Sequence, residues 1–286
     1  MKPFQYYAPA DIQEALNLLI NHKGEAKLLA GGTDLLNQIK RGEVSPKYLI
    51  SLNAIKSLRY ITQEEGAIRI GAGTNLRVIE TSPVIKTLFP VLADAAGQIG
   101  SVQIRNRGTI GGNLVNASPS ADMAAPLLAL DATAIIIGPK RRNEVPLQTL
   151  FTGPGETSLV DDDLLQEIVV QKLPNNAKAV YYKLSTRRAM DIAAVGVAVC
   201  LGTQAEGKIN HVAIALGAVA PTPLRAGRTE QFLRGQSFSR ELVERAASIA
   251  ADEASPISDL RASAGYRKEM IKVLVKRGLL DTGPRV

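Results

Sequence analysis

Three observations predict an α+β fold. The first fifty-odd residues interleave helical and strand-like stretches. Three strand-like runs then follow one another between Ala179 and Val219. The chain closes on two helical stretches, Arg240 to Asp252 and Ser263 to Lys276. A length of 286 residues, at roughly 150 per domain, predicts about two domains.

Asp11 is placed to cap a helix whose apolar positions are Ile12, Ala15, Leu16, Leu19 and Ile20, and Gly24 ends it. The apolar run Leu28-Leu29-Ala30 breaks at Gly31-Gly32-Thr33-Asp34. Leu35 to Lys40 reads as a short helix and Tyr48 to Leu52 as a strand, which closes a compact β/α unit. Ile68 to Gly73 alternates like a strand, with Thr74 and Asn75 as caps for the helix after it. Leu88 to Ile99 reads as helix. Gly100 to Asn113 is polar, basic and glycine-rich, and is expected to be a loop. Ala132 to Ile137 and Leu164 to Lys172 read as strands. Pro174-Asn175-Asn176 is a turn-rich spot and marks the expected boundary between domains 1–174, with subdomains of about 1–54 and 55–174, and 175–286. Beyond it the strand-like runs are Ala179 to Leu184, Ile192 to Leu201 and Ile209 to Val219, with a hairpin signal at Glu206-Gly207. They predict a small antiparallel sheet with helices on one side.

Two segments carry a functional signal. In the first, Leu28-Leu29-Ala30-Gly31-Gly32-Thr33-Asp34-Leu35, a strand enters a double glycine and a helix leaves it. Glycine permits φ > 0 and lets a ligand approach main-chain N–H groups, and a helix start adds unpaired donors, a setting suited to a pyrophosphate. A tight strand–helix turn with a capping Thr/Asp uses the same residues, and both readings stay open here. Neither GxxxxGK[ST] nor GxGxxG is present. In the second segment, Gln103 to Asn113, Thr109-Ile110-Gly111-Gly112-Asn113 again sets a Thr beside a double glycine, with Arg105 and Arg107 upstream. The continuation Ala117 to Pro126 is small and polar and contains Asp122. A fourteen-residue loop of this kind is uncommon inside a compact domain without a function, and two such loops suggest a ligand with two adjacent phosphates.

Composition excludes other classes. One Cys and two His cannot build a structural zinc site or an iron–sulfur cluster within the chain, and a disulfide needs two Cys. No metal site and no Ser/His/Asp catalytic set is expected. The net charge of +7 is scattered and Trp is absent, so the basic residues read as solvated faces or a protein-docking surface, not a nucleic-acid stripe. No apolar stretch reaches the roughly 18 residues of a membrane span. The start Met1 to Tyr7 lacks a signal-peptide core, so the cytoplasm is the expected location. Cys200 lies in an apolar run and is expected to be a buried small hydrophobe, and His22 and His211 are expected at the surface.

The sequence resembles the FAD-binding medium subunit of molybdenum hydroxylases, the family of bacterial carbon monoxide dehydrogenase and xanthine dehydrogenase. The matching words are Ala30 to Leu35, Gln103 to Asn113, Ala117-Ser118-Pro119, Tyr182 to Ala193 and Leu216 to Ala226, in family order over essentially the whole chain. The resemblance implies a two-lobed FAD-binding domain of the vanillyl-alcohol-oxidase (PCMH) type followed by a small C-terminal domain. It implies FAD, with Leu28 to Leu35 and Thr109 to Asn113 around the pyrophosphate, and because no His or Cys lies beside these loops to link a flavin, the FAD is expected to be non-covalent. Ile99 is implied against the flavin region, Asp122 as a hydrogen-bonding partner, and Leu165 and Lys183 as contacts from the domain boundary. Asp122 also reads as an N-cap before Met123, and Lys183 as a solvated outward lysine. The iron–sulfur insertion of 4-hydroxybenzoyl-CoA reductases is absent. The implied role is electron transfer. Electrons come from [2Fe–2S] clusters in a small subunit, fed by a large molybdenum-cofactor subunit, and leave to an external acceptor, in a dimer of heterotrimers. The alternative is a stand-alone FAD-dependent oxidoreductase of the same fold.

Overall fold

The computed structural model describes residues 2–285. The first lobe is a three-stranded parallel sheet in the order Gln5–Tyr7, Tyr48–Ser51, Ala26–Leu29. Parallel neighbours need crossovers, and the helices Ile12–Asn21 and Leu35–Arg41 lie on those connections. Asp11 caps the first helix as expected, its carboxylate accepting from Glu14 N at 2.8 Å. Ala15, Leu16 and Leu19 pack with Ile50, Ile55 and Leu58, and also with Ile137 and Leu164 of the next lobe.

The second lobe is a five-stranded antiparallel sheet in the order Ile61–Glu64, Ala67–Gly71, Leu164–Gln171, Thr133–Gly138, Arg141–Pro146. Its alternate residues Ile68, Ile70, Ala134, Ile136, Ile168 and Val170 join one large core with the short helices that run between Leu76 and Ala129. The strand Arg141–Pro146 escapes a sequence reading because it is an exposed edge with hardly a buried face. Gly100 to Asn113 is not a loop. It holds the helices Val102–Arg107 and Ile110–Val115, whose N-caps Ser101 and Thr109 accept from Ile104 N at 3.3 Å and Gly112 N at 3.0 Å. Six-residue helices are too short for apolar periodicity to show, so the caps are their one local signal.

The third region is an antiparallel sheet, Ala177–Leu184, Val195–Thr203, Ile209–Gly217, Leu224–Arg225, with the helices Gly227–Leu233, Arg240–Glu253 and Ala264–Thr282. Its two central strands sort side chains by size. Val195, Val197, Val199 and Leu201, with Val212, Ile214 and Leu216, face the region's own helices. The alternating small residues Ala198, Cys200, Ala213 and Ala215 belong to the core of the second lobe. The sheet is therefore covered on both faces, where the sequence reading expected one. Small side chains let the helix Ala124–Ala129 lie close, and burial between two layers makes both strands near-continuously apolar. Cys200 is fully buried in this seam, and burial pushes its thiol up to about 12.

Candidate functional site

The two double-glycine segments meet. A Cβ built on Gly31 would lie 2.2 Å from Arg107 O and 2.8 Å from Gly108 Cα, so the first segment rests directly on the backbone of the second. Gly32 has φ +77° and turns the chain out of the strand Ala26–Leu29 toward the helix Leu35–Arg41. Gly111 is pressed against Ala72, 2.7 Å from its carbonyl oxygen to the ideal Cβ, and Gly112 faces Ala30, 3.8 Å from ideal Cβ to Cβ. Main-chain bonds lock the second segment to the end of the strand Ala67–Gly71. Gly111 N donates to Ala72 O at 2.9 Å, Ile110 N to Thr74 O at 3.0 Å, and Leu76 N to Gly108 O at 2.9 Å.

Other residues singled out by sequence join this structure by stated contacts. Asn113 Oδ1 accepts from Met123 N at 3.3 Å, tying the second segment to the 118–123 turn. Pro119 O accepts from Ala218 N at 2.7 Å, so two of the distant family-like words touch. Ala117 and Ala218 both hold positive φ, 45° and 63°, at the two sides of that contact, and non-glycine residues are kept there only where surroundings over-determine them. Thr33 points its hydroxyl at its neighbour Asp34 Oδ2, 3.1 Å away, and its carbonyl accepts from Asn37 Nδ2 at 2.7 Å. Ala30, Leu28 and Leu35 are half-buried, and Leu29 is buried against Ile39 and Leu49.

Asp122 and Lys183 form a buried ion pair, Nζ to Oδ2 at 2.8 Å, with side chains 9% and 5% exposed. Lys183 is thus not a solvated outward lysine. Asp122 is not an N-cap either: the cap position falls on Met123, and the carboxylate reaches across to the third region. Its other oxygen accepts from Tyr181 Oη at 2.9 Å. Burial raises the Asp122 carboxyl above its ordinary value, opposed by the charge of Lys183 and then by the two hydrogen bonds. Burial, then the Asp122 charge, drives the Tyr181 phenol well above its own. Lys183 Nζ also donates to Gln98 O at 3.0 Å. Beside it opens a groove of about 450 Å³ lined by Gln98 and the segment Lys183 to Ala189, within the size range of small-molecule sites. A second open depression, around Glu244 and Ser248 on a surface helix, gathers none of these groups.

Ile99 adjoins this groove through its neighbour Gln98. Its carbonyl is held at 3.0 Å by Arg105 Nη1, while Arg105 Nε donates to Glu80 Oε2 at 2.8 Å. Arg105 is 8% exposed and is a strut for the 99–100 turn, whereas Arg107 is exposed. Leu165 is buried in the second-lobe core, at a bulge in the strand Leu164–Gln171, and Ile99 packs against that same core. Two histidines depart from expectation. His22 is half-buried and stacks on Tyr48 with ring centroids 3.7 Å apart. His211 is half-buried, and burial lowers its basicity. Tyr181, Gln98 and Asn75 were not marked as site residues by sequence. Their partners lie 31 to 85 positions away, and no local pattern encodes that. Among the described residues no group of three or more His, Cys, Asp or Glu is placed to hold a metal ion, and no helix is long and apolar enough to cross a membrane.

Comparison with known proteins places the geometry. Residues 2–173 match the model for the FAD binding domain in molybdopterin dehydrogenase, and residues 180–282 match that for the CO dehydrogenase flavoprotein C-terminal domain. The carbon monoxide dehydrogenase medium chain of Hydrogenophaga pseudoflava is 37% identical over 276 residues, 96% of each chain. The xanthine dehydrogenase FAD-binding subunit of Escherichia coli O157:H7 is 32% identical over 274 residues, 95% of this chain and 93% of the relative. Among solved structures, a Hydrogenophaga pseudoflava carbon monoxide dehydrogenase lacking the Mo-pyranopterin moiety of its cofactor superposes with a TM-score of 0.94. It is 38% identical and covers 98% of this chain and 97% of its own.

Proposed function

This chain belongs to the FAD-binding flavoprotein subunits of molybdenum hydroxylases, and on that premise we propose that it takes electrons from [2Fe–2S] clusters of a partner and delivers them to an external acceptor. The observation that carries this reading is the meeting of the two glycine segments, tied through Asn113 to the turn that bears Asp122 and its buried partner Lys183.

The residues fit the dinucleotide. The bare backbone of Gly31 rests on the Arg107 carbonyl and keeps the two segments close, Gly111 seats the second segment on Ala72, and residues 28–35 and 109–113 hold the pyrophosphate between them. The Lys183 ammonium has three N–H donors, two of them given to Asp122 and Gln98, and the third serves the flavin end. Ile99 and Leu165 supply the apolar side of that end, and Asp122 keeps Lys183 oriented. When bound, FAD supplies a ring that stores and releases electrons, and the protein binds, orients and tunes it. The cofactor is held non-covalently, since Cys200 is sealed in the inter-layer seam and neither His lies in the glycine segments. The boundary near residue 174 separates the FAD-binding part from the C-terminal part. The partners are a large molybdenum-cofactor subunit and a small iron–sulfur subunit, in a cytoplasmic dimer of heterotrimers.

The test is native purification with a visible spectrum and mass analysis of the assembly. Expected is a yellow chain whose flavin is freed by acid, co-purifying with molybdenum and iron–sulfur chains. Substrate oxidation by this chain alone, free of molybdenum and iron, contradicts the reading.

A further inference from the structure

We propose that Asn75 is a positioning residue that sets the gap between the two glycine segments and thereby the fit of the pyrophosphate. The proposal rests on the FAD reading above and gives a role at the site to a residue that the sequence reads only as a helix cap.

Asn75 occupies the N-cap of the helix Leu76–Thr81 but makes no side-chain cap bond there. Its amide instead donates to Asn106 O at 3.1 Å and Arg107 O at 3.0 Å. These are the last two carbonyls of the helix Val102–Arg107, groups with no partner inside their own helix. The Arg107 carbonyl is the same one that Gly31 presses on, 2.2 Å from the ideal Cβ. An isolated antiparallel bridge between Asn75 and Thr109 pins the segment just before the double glycine. The side chain therefore fixes the peptide on which the first segment rests, while the main-chain bonds that flank it, Leu76 N to Gly108 O and Ile110 N to Thr74 O, hold the approach to the double glycine.

The amide has a second, electrostatic effect. Two carbonyl oxygens at the edge of an anion site repel phosphate, and the Asn75 –NH₂ covers both. An aspartate in its place removes both donors and adds a negative charge. Loss of the donors alone and loss with added charge are thus separable.

The test uses the assembled complex, with FAD itself as the probe. Release of FAD on dilution and melting of the flavin-stripped complex are followed for Asn75→Ala and Asn75→Asp. Asn75→Ala is expected to speed FAD release about tenfold, the scale of one or two lost hydrogen bonds. Asn75→Asp is expected to exceed it, with the excess shrinking as salt rises. Melting of the stripped protein is expected to shift only slightly in both. Wild-type release rates in both variants overturn the proposal, as does an equal fall in melting with and without FAD, which is the mark of a purely structural cap. Gly112→Val is the control for the underlying reading, because at Gly31 a side chain would force the backbone apart whatever binds. If Gly112→Val keeps its flavin, the segment assignment itself fails. If it loses flavin while both Asn75 variants keep theirs, only the role of Asn75 fails.

Discussion

The two double glycines look alike in sequence and are used differently. In the first pair, Gly31 is required by contact and Gly32 by conformation. A Cβ at Gly31 meets backbone at 2.2 Å, while Gly32 stands at φ +77° with only the ends of Leu29 and Leu36 nearby. In the second pair neither glycine has positive φ. Gly111 is hemmed in by Ala72 at 2.7 Å, and Gly112 has only the Thr109 hydroxyl at 3.0 Å and Ala30 at 3.8 Å. Three of the four glycines are thus explained by the fold. Gly112 is not, and it borders the space between the segments. A glycine that the fold does not require points to what the ligand requires.

Alanine substitutions at the four positions sharpen that contrast, in falling order. Gly31→Ala is expected to cost about 3 kcal/mol or more, since backbone on both segments must part, and calorimetric melting of the complex reads it. Gly111→Ala is expected to cost about 1–3 kcal/mol, because part of its obstruction is the Ala72 methyl. Gly32→Ala costs about 1–2 kcal/mol from the left-handed backbone alone, the leucine ends giving way. Gly112→Ala is expected within about 1 kcal/mol of wild type, because alanine favours the helix Ile110–Val115 by roughly the amount that crowding of the Thr109 cap removes. Chemical denaturation measures the last two. A Gly112 variant as destabilised as Gly31→Ala would erase the distinction between the pairs.

Much of this site is legible in the sequence because it is local. A double glycine between a strand and a helix announces itself, and so do the three strand-like runs of the C-terminal region. What was not legible is long-range. Asp122 reads as a cap for the helix beginning two residues later, yet its partners Tyr181 and Lys183 are 59 and 61 positions away. Lys183 reads as an outward lysine because alternation cannot tell a solvent-facing side from one facing a second lobe. Arg105 reads as part of a basic loop, but Glu80 and the carbonyls of Ile99 and Gly100 bury it. The all-apolar helix Ala124–Ala129 has no polar face and so no period to detect.

The central claim is that the gap between the two glycine segments belongs to the cofactor's pyrophosphate. Its most direct measurement is the flavin-to-protein ratio of the complex carrying Gly112→Val, taken together with melting of the same protein stripped of flavin. Apart from the Thr109 hydroxyl, 3.0 Å away and able to give, the nearest atom to a Cβ at Gly112 is the Ala30 Cβ at 3.8 Å, whereas a bound pyrophosphate would take that space. The account predicts a complex that assembles and melts close to wild type when stripped, and that has lost most of its flavin. Full flavin occupancy in Gly112→Val contradicts it.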